Sequence, residues 1–121
     1  MLYAILCFHD EAEVDGWTRE QDDAVLAKRA KVTDPLAAAG RLGPAMRLTS
    51  TPSATSVRSG TEPLVIDGPF AETKEQLLGL YVVDCESQED AVEIAKQLGQ
   101  DETGGFEIRP VKLYKPSTIG S

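Results

Sequence analysis

Hydrophobic positions at the start of the chain follow a strand pattern and then a helix pattern. Residues 2–8 form a short apolar run, which predicts a first strand. Thr18 and Gln21 have the spacing of a capping box, which predicts a helix that begins near Arg19 and stops at Gly40. Its apolar positions recur at spacings of three and four: Val25, Leu26, Ala30, Val32, Leu36 and Ala37. A strand followed by a long amphipathic helix is therefore expected.

Two local features modify this opening. Residues 10–16 are acidic and turn-like, which predicts an exit loop after the first strand. Pro35 interrupts the helical pattern, because proline removes a helical hydrogen bond and disfavours helical geometry at the residue before it. We therefore expect a kink at Pro35, or a fresh helix start with Asp34 as its cap.

The middle of the chain has the pattern of short strands and turns. Residues 41–52 are ambiguous between a loop and an edge strand. Residues 54–58 and 63–67 flank a Ser-Gly-Thr-Glu turn and predict a hairpin. Thr73 and Gln76 have capping-box spacing, which predicts one helical turn before the next strand.

The last third contains an apolar strand, a helix and a final strand. Residues 77–83 are apolar on both faces, so both faces need a cover. Ser87 and Asp90 predict a helix cap, and Gly99 predicts the helix end. The apolar stripe of this helix is Ala91, Ile94, Ala95 and Leu98. Residues 106–113 alternate and predict a last strand, in which Arg109 faces away from Phe106 and Ile108.

This order of elements predicts an α+β fold. Two helices on one face of a ferredoxin-like antiparallel sheet, with an inserted hairpin, would account for it. We expect one domain over residues 1–114 and a C-terminal tail over residues 115–121. The helices cover one sheet face only, so the other apolar face predicts a homodimer.

Composition excludes several classes of function. Twenty acidic against twelve basic residues give a net charge of -8, which disfavours nucleic-acid binding. No apolar run approaches the roughly 20 residues of a membrane span. The N-terminal apolar run lacks a basic leading region, so we interpret it as a strand rather than a signal peptide.

Cysteine and histidine usage argues against a metal or cofactor. Cys7 and Cys85 both lie in apolar runs, which predicts buried thiols and suits the cytoplasm. The chain has no C-x-x-C pair and a single histidine, so we predict no metal site. No pattern calls for a cofactor.

The segment DGPFAETKEQL at residues 67–77 resembles the DGPF-motif branch of the YCII-related proteins. The resemblance extends to the opening strand with its acidic exit, to AAGRL at 38–42, to GLY at 79–81 and to EIRP at 107–110. It implies a dimeric ferredoxin-like α/β barrel related to muconolactone-isomerase-like proteins. A histidine near the end of helix one forms a proposed catalytic pair with an aspartate in shorter members, and it is missing here, so that pair is not carried over.

Asp67 and His9 are the candidate catalytic residues. Asp67 could act as a general base at a strand end, or its side chain could accept backbone hydrogen bonds in an Asx-turn. His9 also lies at a strand end, where sites are common, but a histidine beside an acidic loop can equally be a surface residue.

Arg109 is the candidate anchor for a ligand. Its guanidinium could hold a carboxylate in a cleft at the dimer interface, or it could pair with Glu107 or with an acid of the partner. Phe70, Tyr81 and Tyr3 are candidate walls of that cleft, although tyrosines at such positions are often packing residues.

Three functional classes remain open from the sequence. The first is binding of a small polar or anionic molecule at the dimer interface. The second is an isomerase-like or lyase-like enzyme, in which Asp67 acts with His9 or Arg109. The third is a non-catalytic regulatory or interaction protein. One fold hosts many functions, so fold alone does not choose among them.

Overall fold

The computed structural model describes residues 1–120, and this part of the chain contains six strands and three α-helices. The strands are β1 (Leu2–Asp10), β2 (Leu42–Arg47), β3 (Thr55–Arg58), β4 (Leu64–Asp67), β5 (Glu75–Asp84) and β6 (Gly105–Pro110). The helices are α1 (Glu11–Asp15), α2 (Arg19–Ala38) and α3 (Gln88–Leu98), and a short 3-10 turn covers Thr51–Ser53.

Four of the strands form one antiparallel sheet in the order β2-β5-β1-β6. Together with α2 and α3 they follow the order β-α-β-β-α-β. The sequence predicted β-α-β-β-β-α-β with the hairpin included, and it left residues 41–52, where β2 lies, open between a loop and an edge strand. The strands β3 and β4 pair only with each other, in a separate two-stranded sheet. The predicted α+β fold with an antiparallel sheet and an inserted hairpin is therefore confirmed.

The two faces of the sheet differ in burial. On β1 every second residue is buried beneath the helices: Tyr3, Ile5, Cys7 and His9. The opposite face, here called the helix-free face, carries Ala4, Leu6, Leu80 and Val82, which are all only half-buried. Strand alternation thus places one apolar set in the core and a second apolar set outside it.

The helix α3 supplies the best-packed side of the core. Ser87 Oγ accepts a hydrogen bond from the Asp90 amide, as the cap requires. All four residues of the predicted stripe are buried: Ala91, Ile94, Ala95 and Leu98. They pack with Ile5 and Val83 of the sheet, so the prediction for this helix is confirmed.

The helix α2 begins as predicted but packs differently. Thr18 and Gln21 form a complete capping box, with side-chain bonds of 3.1 and 2.9 Å. The predicted apolar stripe is wrong in part, because within it only Leu36 is buried. Leu26 is exposed at the surface instead, and a charged residue, Arg29, lies half-buried on the inner side. The first half of α2 therefore lacks an apolar face that could close onto the sheet.

Three local predictions had different outcomes. Of the two alternatives at Pro35, the fresh start at Asp34 is wrong because the helix α2 continues through Pro35, and the kink stays a prediction. The helix ends before Gly40, as predicted, and Gly40 has a φ of 69°. The acidic exit of β1 is the short helix α1, capped by the Asp10 side chain. The predicted helical turn at Thr73 is absent, since Thr73 Oγ1 donates to the Glu75 carbonyl and β5 begins there.

The turn after β4 yields a first testable prediction. Gly68 has a φ of 114°, a conformation that β-branched residues resist. We expect Gly68→Val to lower the free energy of unfolding by about 1–3 kcal/mol, measured by urea denaturation. Asp67→Asn is the matched control and should be neutral, because the Asp67 side chain is exposed. Equal unfolding midpoints for Gly68→Val and wild type would contradict the backbone argument.

Candidate functional site

A pocket lies on the helix side of the sheet, between the end of β1, the first half of α2 and the loop 100–104. We call it the helix-side pocket, and the residues that line it include His9, Trp17, Leu26, Arg29, Glu102 and Phe106. It stays open because α2 presents Arg29 at this level. A charged side chain cannot close a dry contact with the sheet unless its charge is compensated.

Glu102 compensates that charge from the loop before β6. Arg29 donates to both of its carboxylate oxygens, from Nε at 3.1 Å and from Nη2 at 2.6 Å. Lys28 Nζ donates to the same carboxylate, and Arg29 Nη1 donates to the Tyr81 hydroxyl at 3.4 Å. The Glu102 side chain is only 5% exposed. The cluster Lys28, Arg29 and Glu102 is therefore a largely buried ion-pair group, here called the charge cluster.

The charge cluster has one more cation than anion. Burial alone would raise the pKa of Glu102, but the hydrogen bonds from Arg29 and Lys28 outweigh it and hold that pKa below its usual range. Burial would lower the pKa of Arg29, and the hydrogen bond to Glu102 overcomes it, so that pKa is raised. Both shifts favour the charged forms of Arg29 and Glu102. The charge cluster, with two cations and one anion, therefore has a formal net charge of +1 in a protein of net charge -8, and Arg29 and Glu102 are its two members that line the pocket.

His9 is a pocket residue, which corrects the interpretation of it as a surface residue. It is 6% exposed. Its ring packs edge-on against Trp17, with centroids 5.5 Å apart and an angle of 78° between the planes. Gly104 approaches it so closely that an added Cβ would lie 2.9 Å from His9 Cδ2. The imidazole is thus confined between an aromatic ring and a glycine backbone.

A chain of hydrogen bonds connects His9 to the surface. His9 Nε2 lies 3.2 Å from Thr103 Oγ1, and Thr103 Oγ1 donates to Glu13 Oε1 at 2.8 Å. The other ring nitrogen, Nδ1, lies 3.3 Å from the backbone carbonyl of Asp10. Glu13 is exposed, so this route runs from a buried imidazole to water.

Cys7 also lines the pocket, but its side chain is a protonated thiol rather than a nucleophilic thiolate. Burial raises its pKa to about 11, despite the opposing effect of Arg29. The reactive form of cysteine is the thiolate, which is scarce far below the pKa. Cys7 and Cys85 are both free and buried, as predicted.

The hairpin side chains lie apart from this pocket. Asp67 is exposed at the end of β4, and within residues 1–120 no hydrogen bond to its side chain is seen, so the expected Asx-turn is wrong. Phe70 is 68% exposed, with the Arg58 guanidinium 4.7 Å from its ring centroid. Neither residue lines the pocket that contains His9. The structure therefore does not bring the two candidate catalytic residues together.

The candidate ligand-binding residues are divided between the two faces of the sheet. The Arg109 side chain is 70% exposed and lies 3.8 Å from Glu107. Tyr3 is buried in the core on the other face, and its hydroxyl contacts the Met1 sulfur. Tyr81 packs against that core and reaches Arg29. Of the predicted set, only Tyr81 touches the charge cluster.

Two kinds of feature are absent from residues 1–120. Over residues 1–120, no helix is long and apolar enough to cross a membrane. In the same described part of the chain, no group of three or more histidine, cysteine or acidic side chains could hold a metal ion.

Comparison with known proteins identifies the family. Residues 1–115 match the YCII-related domain. The chain belongs to the YCII-related family. An uncharacterised protein of Rhizobium meliloti (strain 1021) is 45% identical to this chain over 124 aligned positions that cover all of both chains. The family match includes β1, α2 and the loop before β6, so it spans every element that builds the pocket of this YCII-related protein.

Sequence reasoning missed Trp17, Arg29, Glu102 and Thr103. One signal for Arg29 was available, because it follows Val25 by four residues and precedes Val32 by three. A cation within a predicted apolar stripe indicates either that the predicted stripe is wrong at that position or that the cation forms a buried ion pair. Nothing local marks Glu102, which is 73 residues away from its partner in sequence.

Proposed function

We propose that this YCII-related protein binds a small polar or anionic molecule in the helix-side pocket and acts as a dimer formed through the helix-free face. The observation that carries the proposal is the unbalanced charge cluster. Arg29 and Glu102 of this cluster line the pocket together with the aromatic rings of Trp17 and Phe106, and Lys28 pairs with the same carboxylate from outside the lining. Apolar walls with a few convergent polar groups are typical of small-molecule sites.

The pocket supports ligand binding better than the surface around Arg109 does. Arg109 is mostly exposed, and Glu107 lies within ion-pair distance of it. Exposed pairs of this kind contribute little, and water competes for both groups. The charge cluster is shielded from water, where charge-assisted hydrogen bonds to a carboxylate are stronger.

The helix-free face supports the dimer. Its four half-buried apolar residues, together with Met46 at 47% exposure, form a continuous apolar surface on β1, β5 and β2. The hairpin adds the exposed cross-strand pair Val57 and Val65. Large apolar patches are uncommon on monomers, and two such sheets packed face to face would form a dimeric α/β barrel.

We also infer two finer assignments. Segment 67–77 supports membership of the DGPF-motif branch, with Gly68 at a position where its backbone conformation favours glycine. The two free thiols Cys7 and Cys85 support a cytoplasmic location, since disulfides are rare there.

The single tryptophan provides the test of ligand binding. Trp17 is the one tryptophan of the chain and lines the pocket, so its fluorescence reports on the pocket alone. We expect malonate and benzoate to change this fluorescence saturably, whereas malonamide and benzamide, which carry no charge, should have much weaker effects.

Matched variants locate the site. Lys28→Gln removes the extra cation but leaves the bidentate Arg29 to Glu102 pair in place, so carboxylate affinity should fall about tenfold, which corresponds to about 1.4 kcal/mol. Arg109→Ala removes one positive charge on the other face and should leave affinity unchanged. A loss of affinity in Arg109→Ala with none in Lys28→Gln would overturn the proposed location.

A further inference from the structure

Arg29 and Arg47 both line the helix-side pocket, but they are held in different ways. The Arg29 side chain is 15% exposed, and its partner Glu102 lines the pocket as well, so its charge is balanced within the pocket wall. The side chain of Arg47, the last residue of β2, is 46% exposed, and its partner Asp22 lies on α2 outside the lining. The charge that compensates Arg47 therefore comes from outside the pocket.

The ion pair between Arg47 and Asp22 is one that a ligand can open. Arg47 donates from Nη2 to Asp22 Oδ1 at 2.9 Å and from Nη1 to Oδ2 at 3.2 Å. The Asp22 side chain is 33% exposed, so water reaches both partners. Exposed ion pairs contribute little to stability, because water competes for both groups. The guanidinium can therefore leave Asp22 at low cost.

The backbone around Arg47 is held by the sheet, so only the side chain has to move. Arg47 lies opposite Gly79 of β5, at the end of the pairing between β2 and β5. Beyond it, the Leu48 amide donates to the Leu78 carbonyl at 2.9 Å and continues the contact with β5. Rotation about the side-chain bonds of Arg47 is then enough to turn its guanidinium from Asp22 toward the pocket.

We propose that Arg47 is an exchangeable anchor of the helix-side pocket, which leaves Asp22 to bind the carboxylate of a small ligand. This rests on the proposed function, because it takes the pocket to bind an anion. Two N–H groups of a planar guanidinium can donate to the two oxygens of one carboxylate, and Arg47 already adopts this geometry with Asp22. Asp22 is thus an internal competitor of the ligand. No covalent bond changes, and one ion pair replaces another.

Arg29 is less suited to this exchange. Its Nε and Nη2 atoms donate to Glu102, and its Nη1 atom donates to the Tyr81 hydroxyl. Release of Arg29 would leave the Glu102 carboxylate, which is only 5% exposed, without its bidentate partner. Opening a buried ion pair in this way is strongly unfavourable. Arg29 and Glu102 therefore form a fixed part of the wall, and Arg47 is the cation that can exchange partners.

Removal of the internal competitor gives the distinctive result. Malonate binding is measured from Trp17 fluorescence in about 0.15 M salt, where charges more than about 8 Å apart are largely screened. We expect Asp22→Asn to raise malonate affinity about two- to fivefold, the range that corresponds to an exposed ion pair. Arg47→Gln should lower the affinity about tenfold, because it removes a charge-assisted bidentate contact.

Two further variants make this result specific. When Arg47→Gln is already present, the additional substitution Asp22→Asn should leave malonate affinity unchanged, because the guanidinium that it would release is gone. Asp23→Asn removes the same charge from the neighbouring exposed residue of α2 and should bind malonate as the wild type does. Urea denaturation verifies that each variant is folded.

The outcomes separate exchange at Arg47 from the proposed function. If the wild type binds malonate and Asp22→Asn binds it no more tightly, exchange is overturned and the proposed function stands. The same holds if Asp22→Asn raises affinity equally with and without Arg47, or if Asp23→Asn raises it as much, because the change in net charge alone would then explain the gain. If neither malonate nor benzoate changes Trp17 fluorescence in the wild type, both proposals are wrong.

Discussion

Replacing Glu102 with alanine is expected to lower the free energy of unfolding by about 3–5 kcal/mol, the largest single effect outside the apolar core. The substitution leaves the Arg29 and Lys28 side chains, which are 15% and 29% exposed, without their shared carboxylate. A cation that is shielded from water and has lost its partner is strongly destabilising. Urea denaturation followed by Trp17 fluorescence and by circular dichroism measures the change.

An exposed ion pair is the control for this prediction. Arg47 donates two hydrogen bonds to Asp22, at 2.9 and 3.2 Å, in a pair with similar geometry but much greater exposure. Asp22→Ala should therefore cost less than about 1 kcal/mol. Similar losses for Glu102→Ala and Asp22→Ala would contradict the account of a buried charge cluster.

Acid sensitivity checks the same cluster in the wild type. The pKa of Glu102 is lower in the folded protein than in the unfolded chain, so its contribution is fully present above the unfolded pKa of about 4.3. That contribution is lost as the pH falls below this value toward the folded pKa. Glu102→Gln has no carboxylate to protonate, so the stability difference between it and the wild type should shrink over the same pH range.

Placing a charge on the helix-free face is expected to abolish the dimer. Val82 is half-buried on that face, while its neighbour Val83 is 1% exposed beneath the helices. The wild type should be a dimer at micromolar concentration by light scattering. Val82→Asp should be monomeric or aggregated, because a carboxylate cannot be buried between two apolar sheets without a partner.

Two further aspartate substitutions test whether the loss of the dimer is specific to the helix-free face. Val83→Asp should fail to fold, since its carboxylate would lie inside the core of one chain. Ile119→Asp introduces the same charge at an exposed apolar residue of the C-terminal segment and should remain dimeric. A monomeric wild type, or a dimeric Val82→Asp, would show that the helix-free face is not the interface.

The elements that could be predicted from sequence are those with strong local signals. The cap at Ser87 and the stripe of α3 determine that helix without reference to distant residues. The capping box at Thr18 likewise places the start of α2. The hairpin follows from its turn residues, and the alternation around Arg109 places that side chain on the correct face.

Predictions failed where two local signals compete or where a distant residue decides. Capping-box spacing at Thr73 predicted a helical turn, but the strand preference of the following apolar run prevails once β5 pairs with β1 and β2. Pro35 lies inside α2 because the adjoining residue Leu36 packs into the core and stabilises the helix across it. Tertiary packing outweighed propensity in both cases.

Sequence alone therefore determined most of the order of elements, with α1 and β2 as exceptions, and the two-faced sheet, because these depend on neighbouring residues. The net charge of -8 also comes from the sequence alone, and it disfavours nucleic-acid binding. Only the tertiary structure decided where the pocket lies. Arg29 can occupy the inner side of α2 because Glu102, far along the chain, supplies the opposite charge. His9 is part of the pocket because Thr103 and Glu13 meet it from two other elements. Contacts between residues so distant in sequence leave no local periodicity from which they could be predicted.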